Sequence, residues 1–278
     1  MVKTRLLLCA LLLPAILPAQ SEHWMISISA LRHLGDVDPS GTLGRRFFAD
    51  PGNFVMNGAK GAEGFPEGWH AVPTATFPSY AALQKALDGG QLPPEVKAII
   101  YDNESWTFTP PEEQHDLARF EKLAAEAVHR AGRILIATPA ADLVPVLSPK
   151  IERGNRYDEY LRLGIAGMAA RWADVYEVQA QGSEDNLPLY TRFVNAAAAQ
   201  ARTANPKVRV FAGLSTNPSG KRVTARQLYD AVEATRDAVD GYWLNIPGGG
   251  AYCPKCGEPQ PQVAVDLLRM LNEKHPVP

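Results

Sequence analysis

Residues 96–138 read VKAIIYDNESWTFTPPEEQHDLARFEKLAAEAVHRAGRILIAT. The stretch opens on a short apolar run, Val96 to Tyr101, and closes on another, Arg133 to Thr138. Between them Pro111 to Ala131 carries apolar residues at helical spacing. Thr109, Pro110, Pro111, Glu112 and Glu113 supply a capping hydroxyl and an acidic first turn, and Gly132 stops the helix. Strand, helix and strand in this order make a βαβ unit, in which the two strands run parallel.

The same alternation extends in both directions. Candidate strands are Trp24 to Ala30, Asn53 to Asn57, Ala71 to Thr76, Val96 to Tyr101, Arg133 to Thr138, Ala173 to Gln179, Lys207 to Leu214 and Gly241 to Ile246. Eight is the number that closes a barrel. Helices are expected at Tyr157 to Trp172, Leu187 to Ala204, Thr224 to Ala238 and Gln262 to His275. From Gly35 to Pro78 glycine and proline are scattered and the pattern loosens. The expected fold is therefore α/β, a (β/α)8 TIM-type barrel with an irregular first half. An open doubly wound sheet would satisfy the same alternation.

Lys3 and Arg5 precede an apolar run from Leu6 to Leu17, followed by Pro18, Ala19 and Gln20, which is the pattern of a secretory signal peptide over residues 1–19. The run is too short for a stable membrane anchor, and Cys9 lies inside it rather than at its end, which argues against lipid attachment. Residues 20–278 then form one domain, secreted or periplasmic. Charged residues make up 21% of the chain and the net charge is −2, so neither nucleic acid nor an anionic membrane surface is an expected partner. A monomer acting on a glycan or another neutral small molecule is expected, with no metal or cofactor. Outside the leader only Cys253 and Cys256 remain; a disulfide is the plain reading, with metal or redox chemistry as alternatives.

Barrel enzymes act at the carboxyl ends of their strands, so polar strand ends carry the functional question. After Ile99, Ile100 and Tyr101 come Asp102 and Glu104, two positions apart and so on one face, with Trp106 close by. Either Asp102 and Asn103 only turn the chain, or the pair is catalytic. A glycosidase needs one carboxyl kept protonated and one kept charged, beside an aromatic ring that stacks on sugar. Further on, Glu177, Gln179 and Gln181 share one strand face. On an antiparallel sheet that row would be a solvated face; inside a parallel barrel it means a polar, functional interior. Asn217 reads first as a loop residue and second as a substrate ligand. Trp243 and Asn245, on the last strand, fit either core or the floor of a sugar pocket.

An acid-x-acid strand end, a polar strand containing Tyr176 two units later and a tryptophan on the final strand resemble the layout of chitinase-type glycoside hydrolases. The resemblance implies that Glu104 is the general acid and that Asp102 orients a substrate acetamido group. The family's longer run of alternating acids is replaced here by Lys97, Ala98 and Ile100. The chain as a whole resembles secreted bacterial barrels, which implies no activity. Without substrate assistance Glu177 becomes the expected second carboxylate, projecting toward the same mouth. The competing readings are a carbohydrate-binding barrel without catalysis and a metal-dependent hydrolase using Asp102, Glu104 and Glu177. Of the histidines, only His23 and His70 lie near expected strands.

Overall fold

The computed structural model describes residues 22–150 and 156–274. The expected signal peptide lies outside the described residues. Eight strands follow one another around a ring: β1 (His23–Ser27), β2 (Phe54–Met56), β3 (Val72–Phe77), β4 (Ala98–Tyr101), β5 (Ile134–Ala137), β6 (Val175–Val178), β7 (Arg209–Ser215) and β8 (Gly241–Asn245). All neighbours are parallel, and β8 pairs back onto β1 through His23 with Gly241 and Met25 with Trp243. That last pairing excludes the open sheet.

Helices α1 (Ile28–Val37), α2 (Thr42–Phe48) and α3 (Tyr80–Asp88) cover the first half. The loosened pattern there gave no sign of them. Next come α4 (Pro111–His115), α5 (Leu117–Arg130), α6 (Val144–Leu147), α7 (Arg156–Leu163) and α8 (Ile165–Ala170). The last three are α9 (Leu187–Ala204), α10 (Ala225–Thr235) and α11 (Pro261–Lys274).

Local chemistry moves several expected boundaries. The first strand stops at Ser27 instead of Ala30, because the Ser27 hydroxyl accepts from the Ala30 N–H and starts α1. One long helix after Thr109 becomes two, split at Asp116, where ψ is 57°. Thr109 does not cap it: the hydroxyl donates to the Pro78 carbonyl and accepts from the Trp106 indole. The expected helix from Tyr157 breaks at Gly164, whose φ of 70° suits glycine. Thr224 behaves as expected, forming a reciprocal capping box with Gln227.

Strand alternation sorts the side chains into two packing layers. Met25, Phe54, Met56, Ala98, Ile100, Ile136, Val175 and Phe211 fill the barrel interior, Met56 reaching up to the mouth. Ile26, Val55, Ile99, Tyr101, Leu135, Tyr176, Val210 and Leu244 point outward against the helices. Arg209 plugs the bottom, its guanidinium 5.0 Å from the centroid of Phe54. His23 stands at this same amino-terminal end, remote from the mouth. Among the described residues no helix is long and apolar enough to cross a membrane.

Candidate active site

The interior row of β4 is apolar at Ala98 and Ile100 and acidic at Asp102 and Glu104, one and two steps higher. The change takes place where the strand leaves the sheet, so both acids enter a cleft of about 490 Å³ at the barrel mouth. Gln179 and Gln181 from the end of β6, Trp243 and Asn245 from β8, and Trp106 line the same cleft. Eight of the nine expected site residues therefore belong to one end of the barrel interior, seven of them in the cleft wall.

The centre of the arrangement is the Gln179 amide. Its Nε2 donates to Asp102 Oδ1 at 3.1 Å, to Glu104 Oε1 at 3.2 Å and to the Thr138 carbonyl at 2.9 Å. The two acids thus share one nitrogen, and their facing oxygens lie no further apart than those two bonds end to end. Thr138 Oγ1 adds a 2.7 Å bond to Asp102. Asp142, in the loop after β5, accepts the Ser105 N–H at 2.9 Å and holds the turn that carries Glu104.

Burial raises the Asp102 carboxyl above its ordinary value; the bonds from Thr138 and Gln179 pull the other way, and nearby Asp142 adds to the rise. Burial also raises Glu104, further than Asp102, and the charges of Asp102 and Asp142 reinforce it. Both carboxyls are thus biased toward their neutral forms, Glu104 more strongly than Asp102, and acid-base catalysis needs two acids whose environments push them apart in this way.

Glu177 departs from expectation. It is fully buried beneath the cleft, does not line it, and neither carboxyl oxygen has a hydrogen-bond partner. Desolvation, reinforced by the charges of Asp102 and Glu104, pushes its carboxyl well above the usual range. It stands one strand step below Gln179, which does line the cleft. Asn217 departs as well: its amide donates to the carbonyls of Pro247, Cys256 and Glu258, which ties it to the loop after β8. The outer face of the polar strand is ordinary packing, with Tyr176 bonded to Tyr160 at 2.8 Å.

Several site residues escaped the sequence reading. Thr138 is the end of an expected strand, so the strand-end rule that selected Asp102 reaches it too. Gly213 on β7 carries no side chain where a Cβ would run into the Gln181 and Glu177 oxygens, which occupy that space. Ser27, Met56 and Thr76 complete the wall on the β1–β3 side. Tyr252, beside the Cys253–Cys256 disulfide, forms part of the roof; its signal was an aromatic next to a cysteine pair.

No family model matches the chain, and no curated protein matches it. Solved structures do. The N-terminal domain of a protein described as an aldolase from Bacteroides vulgatus is 12% identical, with 93% of this chain and 81% of that one covered at a TM-score of 0.50. The PgaB (BpsB) glycoside hydrolase domain from Bordetella bronchiseptica is 9% identical, covering 81% and 93% at 0.47. Triosephosphate isomerase from Bartonella henselae is 12% identical, covering 90% and 98% at 0.45. The fold is a TIM barrel. That rests on the closed ring of eight parallel strands and on the likeness to the Bacteroides vulgatus domain, which at this identity speaks of the fold alone.

Proposed function

We propose that the protein is an exported glycoside hydrolase, acting as a monomer on a neutral glycan, with Glu104 as its general acid. The observation that carries this reading is the Gln179 amide shared by Asp102 and Glu104, two buried acids in a cleft lined by Trp106, Trp243 and Tyr252, with burial raising Glu104 above its ordinary range. Glu104 donates its proton to the leaving glycosidic oxygen. Asp102, fixed by Thr138 and Gln179, faces the developing positive charge at the sugar carbon. The aromatic rings offer apolar faces to the sugar.

The spacing of the acids supports retention of configuration. Inverting enzymes hold their carboxyls about 6.5 to 9.5 Å apart to admit a water, whereas retaining ones stand about 5 to 5.5 Å apart. Two oxygens bonded to one nitrogen favour the shorter class. Attack by Asp102 itself and attack by a substrate acetamido group that Asp102 orients both give this outcome. Glu177 is too deep to serve, and no role in bond cleavage is assigned to it. A raised acid in a cleft beside a second carboxyl is the arrangement found at catalytic sites, and on that ground catalysis is preferred to a carbohydrate-binding role. The test is hydrolysis of a glycan panel, including N-acetylhexosamine polymers, by wild type and Glu104→Gln. Sugar release by the wild type, lost in a folded variant, supports the proposal; no release from any glycan overturns it.

A further inference from the structure

Two glutamines at the end of β6 line the cleft, and they are held differently. The Gln179 amide is fixed by the three bonds it donates. Gln181 lines the same cleft, yet its amide oxygen is buried and, among the described residues, has no hydrogen-bond partner. That oxygen turns inward, toward Gly213 and Glu177. A Cβ placed on Gly213 would stand 2.0 Å from Gln181 Oε1 and 2.5 Å from Glu177 Oε1. The two oxygens therefore lie no further apart than those two lengths end to end, beside a glycine that leaves them the room.

An amide oxygen and a carboxylate oxygen only accept, so this contact lacks a donor for as long as Glu177 is charged. Ser215, the next inward residue of β7, carries an O–H, but its hydroxyl is itself buried and unpartnered. Burial opposes ionisation of Glu177, and the charges of Asp102 and Glu104, both negative, oppose it further. Turning the Gln181 amide over would point its N–H at Glu177. It would also leave a fully buried carboxylate held by one neutral donor below two further acids. A proton on Glu177 satisfies both oxygens without that cost.

We propose that Glu177 is a positioning residue: its carboxyl O–H donates to Gln181 Oε1 and so fixes the Gln181 Nε2 as a hydrogen-bond donor toward a substrate oxygen, a hydroxyl or a carbonyl. The hydrogen bond stands on the geometry of these residues; that the oxygen belongs to a sugar rests on the glycan reading above. An amide held this way disfavours a substrate that offers only donors at that point, such as a protonated amine.

The experiment pairs infrared spectra with kinetics. The difference between wild type and Glu177→Gln near neutral pH should contain the C=O stretch of a protonated acid. In a Gln181→Leu background, verified as folded by its melting curve, the same band should move to higher frequency as its hydrogen bond is lost. A carboxylate band in its place, or an acid band that Gln181→Leu does not move, overturns the inference. On a cleaved glycan Glu177→Leu should raise KM about fivefold, the worth of one hydrogen bond, with kcat nearly unchanged, whereas Glu177→Gln, which keeps a donor, should restore KM. An unchanged KM in a folded Glu177→Leu protein, or an equal rise in both variants, overturns the positioning role. If the band shifts as expected and no glycan is cleaved, the hydrolase proposal falls and the Glu177–Gln181 bond stands.

Discussion

The end of β4 and the middle of β6 present the same residue type to the same barrel interior, with opposite results. Glu104 stands above the last rung of the sheet, reaches the cleft and shares a hydrogen-bond donor with Asp102. Glu177 stands within the sheet, sealed from solvent, with no partner at either oxygen. Burial raises both carboxyls above their ordinary range, because it disfavours their charge. Only Glu104 lines the cleft. In a barrel, height along the strand decides whether an inward acid is chemistry or core.

The sharpest way to break this contrast is to make the same substitution at both positions. Glu104→Gln should lower turnover by about 10²- to 10⁴-fold, the usual worth of a positioned general acid, with an unchanged melting curve. Glu177→Gln should leave turnover within a few-fold and change stability instead. Glu177 is raised in the folded state, so its favourable contribution is complete below the unfolded value of about 4.3 and is lost as pH rises toward the folded value. Wild-type denaturant stability should fall over that window by up to about 1.4 kcal/mol per pH unit for each such group. Glu177→Gln should remove its share of the slope, and buried Glu121 on α5, raised for the same reason, should retain its own.

Gly213→Ala addresses the packing between the two levels. Its new methyl would displace Gln181 and Glu177, at a cost of about 1 to 3 kcal/mol in stability by thermal melting, together with weaker substrate binding. The smallest effect expected is from reducing Cys253–Cys256, whose loop spans a sequence separation of only 3; closing so short a loop is worth below about 2 kcal/mol. Its consequence should be a rise in KM as the loop that carries Tyr252 loosens, read by steady-state kinetics with and without reductant.

The barrel was legible because a parallel sheet covered on both faces imposes strand-helix alternation on the chain, and all eight expected strands overlap the observed ones. Helices α1 to α3 were not legible: Ala30 and Leu34 are the only buried residues of α1, too few to make a visible stripe among glycines and prolines. At the site, period-two alternation correctly put Asp102 and Glu104 on one face, and likewise Glu177, Gln179 and Gln181. What it lacks is a vertical coordinate. The residue at which β6 leaves the sheet depends on pairing with β5 and β7, and those partners are distant in sequence. The partners of Asn217 were invisible for a similar reason, since the carbonyls it binds lie 30 to 41 residues away along the chain.

The protonation state of Glu104 is the central claim, and it can be observed without knowing the substrate. An infrared difference spectrum between wild type and Glu104→Gln, taken near neutral pH, should contain the C=O stretch of a protonated carboxylic acid, disappearing only well above the ordinary glutamate range. A carboxylate band in its place at neutral pH would mean that Glu104 carries a charge and has no proton to donate.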